Sequence, residues 1–292
     1  MDFLPPQAPS NASIHRIDFA TSTPPLPVYS GLFAAVIDNF LTEAECRELL
    51  RRAEATTVPN GNGNGNGNGN DHDHGNGTNT STPTWERATI NIGNGKQALA
   101  TDTRNCGRII VDTPDLAARL LQRLRPFLHE LGVDRIADQP RITGLAGRGK
   151  TYHVARINER LRFLKYEGGE YFHPHGDAAY VVPGEAGEEE RSLITIHVYL
   201  NGEGEQDLEE LRREKRAVGG MGEGNHDVDG KLLGGATSFM DIRRFEKEDE
   251  HVRVFPRTGS VLVFQQRDLL HGGDPVLRGT KYTMRTDIMY RQ

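Results

Sequence analysis

Apolar residues recur along this chain with two different periods, and the change from one to the other divides it. Phe33, Val36, Ile37 and Phe40 lead into Thr42-Glu43-Ala44-Glu45, a capping-box sequence. Cys46, Leu49, Leu50 and Ala53 then repeat at the spacing of one buried helix face. A second helix is announced by Thr113-Pro114, an N-cap followed by proline at the first helical position. Its apolar face is Leu116, Leu120, Leu121, Leu124, Phe127, Leu128 and Leu131; Gly132 ends it, and Pro126 is expected to bend it. Residues 108–111 read as extended. From Tyr152 onward the pattern shortens to strands over 161–166, 192–200, 236–240, 252–255, 260–265 and 281–290, separated by Gly/Pro turns. Many strands after two helices predict an all-β sandwich or barrel backed by helices.

The flanking and intervening segments behave differently. Residues 1–30 are proline-rich and aperiodic, which predicts an irregular N-terminal arm ahead of a single domain over 31–292. Residues 59–83 pass from a Gly-Asn repeat into an Asp-His tract without one aliphatic side chain, so a disordered loop is expected. His72 and His74 in that tract make a weak chelator, because a floppy segment must be ordered before it can hold an ion. Residues 202–233 run from dense charge to glycine, predicting a short surface helix followed by a mobile loop.

Composition narrows the function. With 35 Lys and Arg against 41 Asp and Glu, the chain is mildly acidic and has no basic stripe, so nucleic acid is not an expected partner. Two cysteines, Cys46 and Cys106, are too few for a disulfide framework. Neither a basic-then-apolar leader nor a run of about 18 apolar residues occurs, so no membrane partner and a cytoplasmic or nuclear location are expected. The sequons at Asn11, Asn76 and Asn79 are read as products of Asn-rich composition.

One segment carries candidate chemistry. In Tyr166 to Asp177, His175 and Asp177 are two apart, and on a strand such residues point to the same side, where an imidazole and a carboxylate can meet one ion. His271, in a Gly-rich turn between two predicted strands, is the best-placed second imidazole. Two histidines and one carboxylate on one face of an ion leave open positions, the arrangement of non-haem iron(II) oxygenases. His173 competes with His175 but stands four residues from Asp177; His197 and His226 read as structural and loop residues.

With His271 followed ten residues later by Lys281, and Tyr166 nine before His175, the sequence resembles the prolyl 4-hydroxylase-like branch of the iron(II)/2-oxoglutarate dioxygenases. Thr195, the Gly234 to Thr237 turn and the Gly259 to Phe264 strand match that pattern, and the likeness spans about residues 33–55 and 85–291. The resemblance implies a double-stranded β-helix, or jelly-roll, core. It also implies iron(II) on His175, Asp177 and His271, and 2-oxoglutarate bound through Lys281 and Tyr166 with Thr195 lining it. O2 would be the oxidant, with ascorbate admitted as an auxiliary reductant. Decarboxylation of 2-oxoglutarate to succinate and CO2 would accompany C–H hydroxylation, and the presence of Asp177 argues against a halogenase.

Two assignments stay open in the sequence. Arg285 shares a strand face with Lys281, Thr283 and Asp287 and rivals Lys281 as carboxylate anchor, since its fork suits a carboxylate. Asp287 stands where prolyl 4-hydroxylases have an aromatic residue, and by strand parity Arg162 reaches the same cavity. The pair suits a substrate bearing a carboxylate and an amine, or is an internal ion pair. Phe172, Tyr180 and Trp85 are candidate pocket walls. The expectation is hydroxylation of a small or amino-acid-like substrate, with a peptidyl side chain as alternative and a catalytically silent jelly-roll binding module as a third reading.

Overall fold

Thr42 and Thr113 each end an extended segment and turn the chain into helix. In the computed structural model, which describes residues 3–58, 82–91, 96–184, 189–218 and 227–292, β1 (Ser13–Arg16) and β2 (Ala34–Asp38) precede α1 (Glu43–Ala55). The Thr42 hydroxyl accepts the Glu45 N–H at 3.2 Å and the Glu45 carboxylate accepts the Thr42 N–H at 2.8 Å, so two otherwise orphaned donors are satisfied reciprocally. The short strands β3 (Glu86–Arg87), β4 (Ile90–Asn91), β5 (Gln97–Ala98) and β6 (Arg104–Asn105) lead through β7 (Gly107–Asp112) to α2 (Pro114–Glu130). Thr113 caps α2, which continues past Pro126.

The rest is almost entirely strand. β8 (Arg135–Ala137), the short helix α3 (Pro140–Thr143), β9 (Thr151–Ile157), β10 (Arg160–Glu167), β11 (Tyr171–His175), β12 (Val181–Pro183) and β13 (Glu189–Tyr199) come before α4 (Leu208–Ala217). After it follow β14 (Leu233–Gly234), β15 (Thr237–Phe239), β16 (Val252–Val254), β17 (Val261–Gln265), β18 (His271–Gly273), β19 (Val276–Arg278) and β20 (Thr280–Arg291). Two antiparallel sheets build the jelly roll. The larger runs β1-β2-β17-β13-β20-β10-β7-β3, with β12 beside β13 and β9 beside β20; the smaller runs β16-β15-β18-β11-β6.

Alternation along the long strands gives the larger sheet two chemically distinct faces. Leu161 and Phe163 of β10, Ile196 and Val198 of β13, and Met284 and Ile288 of β20 pack with Leu120, Leu124 and Leu128 of α2 and Cys46 and Leu49 of α1 in one buried cluster. Arg123 of α2 is clamped by the Glu45 carboxylate at 2.7 Å, which pins the helices together. Toward the smaller sheet, Tyr199, Leu262 and Phe264 meet Phe239 and Val252, with Phe239 and Phe264 edge to face at 5.5 Å. The polar residues of β10, β13 and β20 on that inner face line the site.

Several expectations change. The arm over 1–30 is not irregular throughout: β1 pairs antiparallel with β2, and Leu4, Phe19, Leu26 and Tyr29 are buried. Isolated apolar residues between prolines carry no period, yet each fills a gap in a core built by distant segments. α4 is the surface helix expected within 202–233, capped by Asp207. The loop expected over 59–83, with His72, His74, Asn76 and Asn79, lies outside the described residues except for 82–83, as does His226. Among the described residues no helix is long and apolar enough to cross a membrane.

Candidate metal centre and cosubstrate cavity

β11 carries His175 against His271 of β18, directly opposite in the antiparallel ladder. Asp177 follows two residues later, and the donor atoms of the three residues all lie within 4.8 Å of one another. His175 Nε2 is 4.0 Å from Asp177 Oδ1, and His271 Nε2 is 3.8 Å from Asp177 Oδ2. Each imidazole is oriented by its other nitrogen: Nδ1 of His175 meets the His173 carbonyl at 2.9 Å and Nδ1 of His271 the Leu269 carbonyl at 3.1 Å. A carbonyl only accepts, so the proton sits on Nδ1 and the Nε2 lone pair faces the shared space.

The electrostatics agree with a ligand set. Burial, reinforced by the neighbouring His271, pushes His175 down to about 3, and burial also lowers His271, so both rings are neutral at physiological pH. Burial would raise Asp177, but the Arg285 guanidinium, both imidazoles and the Thr195 hydroxyl together hold its carboxyl well below the usual range. Neutral imidazoles and an ionised carboxylate are the protonation states that metal binding requires.

Sequence placed His271 in a turn; the structure places it in a strand paired on both sides, with β11 and β15. Glycine here serves close packing rather than turning, because a Cβ on Gly272 would stand 3.0 Å from the Phe172 carbonyl oxygen. Thr195, expected to line the cosubstrate, donates to Asp177 Oδ2 at 2.6 Å and is itself touched by Gln266 at 3.3 Å. His173 stays out of the cluster, its ring 4.6 Å from that of Tyr171.

A cationic cavity adjoins the three donors. Register aligns Tyr166 with Lys281, and Arg162 and His197 with Arg285, on the inner face. Lys281 is 2 % exposed, its ammonium 5.1 Å from the centre of the Tyr166 ring and 5.8 Å from that of Tyr199. Burial pushes it down to about 8, and among the described residues no carboxylate lies within ion-pair reach of it. Arg285 is already engaged: its Nη2 is 2.7 Å from Asp177 Oδ1 and 3.4 Å from Asp287 Oδ1. Asp287 also accepts from Gln266 at 2.9 Å and stands 3.6 Å from Arg162. Arg162 and Asp287 therefore face each other.

Three buried polar atoms next to this space have no hydrogen-bond partner: Nε2 of His197, Oγ1 of Thr283 and Nε of Arg104. Orphaned buried donors are costly, and a cavity that holds several beside an unpaired ammonium suits an anion with several acceptor oxygens. The residues present thus fit both groups implied by the sequence, a divalent iron on two imidazoles and one carboxylate, and a dicarboxylate beside it. Gly235 makes room for the ammonium stem: at φ +70° its ideal Cβ would lie 3.0 Å from Lys281 Cδ.

Some of these residues escaped the sequence reading. By sequence His197 reads as structural, although its parity with Thr195 in the same strand places it on the inner face. Arg104 gave no signal, because its two-residue strand β6 acquires meaning only beside β11, where Arg104 stands opposite Phe172. Phe172 itself stacks on the His175 ring at 3.7 Å and forms a wall of the site. Tyr180 is exposed, and Trp85 packs on Tyr282 at 5.8 Å rather than against the cavity.

Residues 161–286 match the family model described as 2OG-Fe(II) oxygenase superfamily. No curated protein matches the chain. Among solved structures, the chain is similar to a viral collagen prolyl hydroxylase of Paramecium bursaria Chlorella virus-1 in its 2OG complex, at 18 % identity and TM-score 0.44, over 89 % of this chain and 97 % of that one. A Pseudomonas putida prolyl-4-hydroxylase gives 16 % identity and TM-score 0.40 over 93 % and 95 %. A Trichoplax adhaerens prolyl hydroxylase, in complex with a hypoxia inducible factor oxygen degradation domain peptide fragment, gives 14 % and 0.45 over 87 % and 82 %.

Proposed function

We propose that the protein is an oxidoreductase using iron(II), 2-oxoglutarate and O2, and that it hydroxylates a C–H bond of a small or amino-acid-like substrate; the match of residues 161–286 to the 2OG-Fe(II) oxygenase model supports the reading. The observation that carries this reading is the convergence of His175, Asp177 and His271 within 4.8 Å. Bound there, iron(II) supplies the redox chemistry that couples decarboxylation of 2-oxoglutarate, to succinate and CO2, with oxygen insertion.

The chain's own residues position and shield. His175 and His271 present neutral Nε2 atoms because backbone carbonyls hold their Nδ1 protons. Thr195 and Arg285 fix the rotation of Asp177 and keep it ionised. Lys281 is the cosubstrate's carboxylate anchor in this reading, since Arg285 is spent on Asp177 and Asp287 while among the described residues Lys281 has no carboxylate within ion-pair distance. The Tyr166 hydroxyl assists it. Phe239 and Phe264, with ring centres 6.2 Å and 4.7 Å from that of His271, keep water from one side of the centre.

A peptidyl substrate is the second reading. It is favoured by a cavity of about 610 Å³ along β11, lined by Tyr171, Phe172, His173, Pro174 and Phe255 among others, which adjoins the centre through Phe172, includes none of the three metal donors, and is large enough for a peptide segment. A succinate-release assay over free amino acids and peptides separates the two: stimulation by peptides alone removes the first. Iron- and 2-oxoglutarate-dependent O2 consumption equal in wild type and His175→Ala would remove the ligand assignment, and its absence from wild type would leave the silent binding module.

A further inference from the structure

The helix α4 and the outer side of the smaller sheet are walls of one cavity rather than a packed pair. Leu208 and Leu211 stand one turn apart on α4, yet none of the helix's residues is buried. On β16, Val252 and Val254 pack into the core cluster, so Arg253 between them points outward. Leu208, Leu211 and Arg253 line a space of about 610 Å³ together with Phe245, Phe255 and Leu277. Ion pairs tie α4 down: Arg212 Nη2 lies 3.1 Å from Asp249, Lys215 pairs with Glu248, and Glu210 lies 2.7 Å from Arg278. A cavity of this size with an apolar body and a few polar groups has the form of a binding site.

The charges that line this space do not balance. Its lysine and arginines are all paired: Arg212 with Asp249, Lys215 with Glu248, and Arg253 Nε with Asp274 at 2.9 Å. Two further acids on the lining, Glu205 and Glu246, have no ion-pair partner within 4.0 Å among the described residues. Arg216 and Lys247 border a neighbouring depression over residues 246–250 and not this one. His251, on the same wall, points the same way. It is 6 % exposed, and its Nε2 donates to the Phe245 carbonyl at 2.9 Å, so Nδ1 carries only a lone pair, and it has no partner. An unmet acceptor and two unpaired carboxylates call for the same occupant, one that brings N–H donors and positive charge.

We infer that this cavity docks a basic segment of a partner polypeptide. Lysine or arginine stems lie on the apolar body formed by Leu208, Leu211 and Phe245, and their charged heads reach Glu205 and Glu246. The docking rests on the cavity alone; that the docked chain is also the one hydroxylated rests on the peptidyl reading above. Phe172 joins the two places, since it lines this cavity and stacks on the metal-ligand candidate His175 at 3.7 Å. Because both unpaired acids are exposed, the attraction is screened by salt, whereas the apolar contribution is not.

The test titrates the full chain, free of metal, in a calorimeter with three end-blocked hexapeptides that alternate leucine with lysine, glutamine or glutamate, and with spermidine as a free amine. The lysine peptide should bind about tenfold tighter than the glutamine peptide, the joint effect of two exposed ion pairs, and the glutamate peptide weakest. Added salt should narrow the gap. The double variant Glu205→Gln, Glu246→Gln should erase the preference for lysine while leaving thermal unfolding and peptide-free succinate release by the iron(II) form unchanged. Leu208→Ser should weaken the lysine and glutamine peptides alike. Equal affinity for the three peptides, no binding of any, or a lysine preference that survives the double variant overturns the inference. So does binding of spermidine without the lysine peptide, which would assign the cavity to a small amine. Lysine-peptide binding by a chain that does not turn over 2-oxoglutarate keeps the docking site and removes the oxygenase reading; turnover without peptide binding does the reverse.

Discussion

Replacing Lys281 by methionine should make the ligand-free protein more stable and at the same time loosen its hold on 2-oxoglutarate. The ammonium is fully enclosed, and its fall from 10.5 to about 8 comes from burial, offset only weakly by the more distant Asp274. At about 1.36 kcal/mol for each tenfold change in proton affinity, that corresponds to roughly 3 kcal/mol against folding with the charge in place. Below pH 8 the lysine is protonated in folded and unfolded chains alike and the penalty is present in full. Between about pH 8 and 10.5 the unfolded chain binds the extra proton, so this group's contribution to stability improves as pH rises. Methionine keeps an unbranched apolar stem of similar length, so a gain on the order of 1–3 kcal/mol is expected at pH 7, shrinking toward pH 10. With the anionic cosubstrate present the sign reverses. Losing a buried charge-assisted contact costs about 3 kcal/mol, on the order of 100-fold in Kd. Denaturant unfolding of the metal-free protein at pH 7 and 9.5, together with calorimetric titration of the Mn(II) form with N-oxalylglycine, reads both effects. A cooperatively folding Lys281→Met protein that is less stable than wild type at pH 7, or that binds N-oxalylglycine within threefold of it, would refute the assignment of Lys281 as anchor.

Other perturbations test the surroundings of the site. Thr195→Val removes the 2.6 Å bond that orients Asp177 and should lower Mn(II) affinity about tenfold in a metal titration; unchanged affinity would mean that Arg285 alone suffices. Gly235→Ala places a Cβ 3.0 Å from Lys281 Cδ at a φ of +70°, and should cost about 1–2 kcal/mol in thermal or chemical unfolding and weaken N-oxalylglycine binding. Glu45→Gln leaves Arg123, 1 % exposed, without its carboxylate and should destabilise the protein by about 3 kcal/mol. Burial opposes ionisation of Glu45, but Arg123 and Thr42 prevail and lower its carboxyl below 4.5. Its stabilisation is therefore present above pH 4.5 and lost as pH falls through the lowered value, so Glu45→Gln should flatten the acid limb of the stability profile.

Much of this molecule was legible in its sequence. Capping chemistry is local, so Thr42, Glu45 and Thr113-Pro114 announced both long helices within four residues. Alternation is local too, so the strands over 161–166, 192–200 and 281–290 and their inward faces could be read directly, and with them Tyr166, Thr195, Lys281 and Arg285. The three metal donors were found because two of them share one strand and the third precedes Lys281 at a recognisable offset. Only the folded chain decided how the charges are spent. Arg285 rather than Lys281 neutralises Asp177, Arg162 and Asp287 face each other, and Thr195 orients a ligand. Each depends on which strands become neighbours, and an ion pair between β10 and β20 has no period along the chain. The same holds for His271, whose glycines signalled a turn until β11 and β15 closed on either side of it. It holds most for Arg104, an arginine among many in the sequence. It became conspicuous only when folding buried it beside β11, with no carboxylate within 4.0 Å among the described residues.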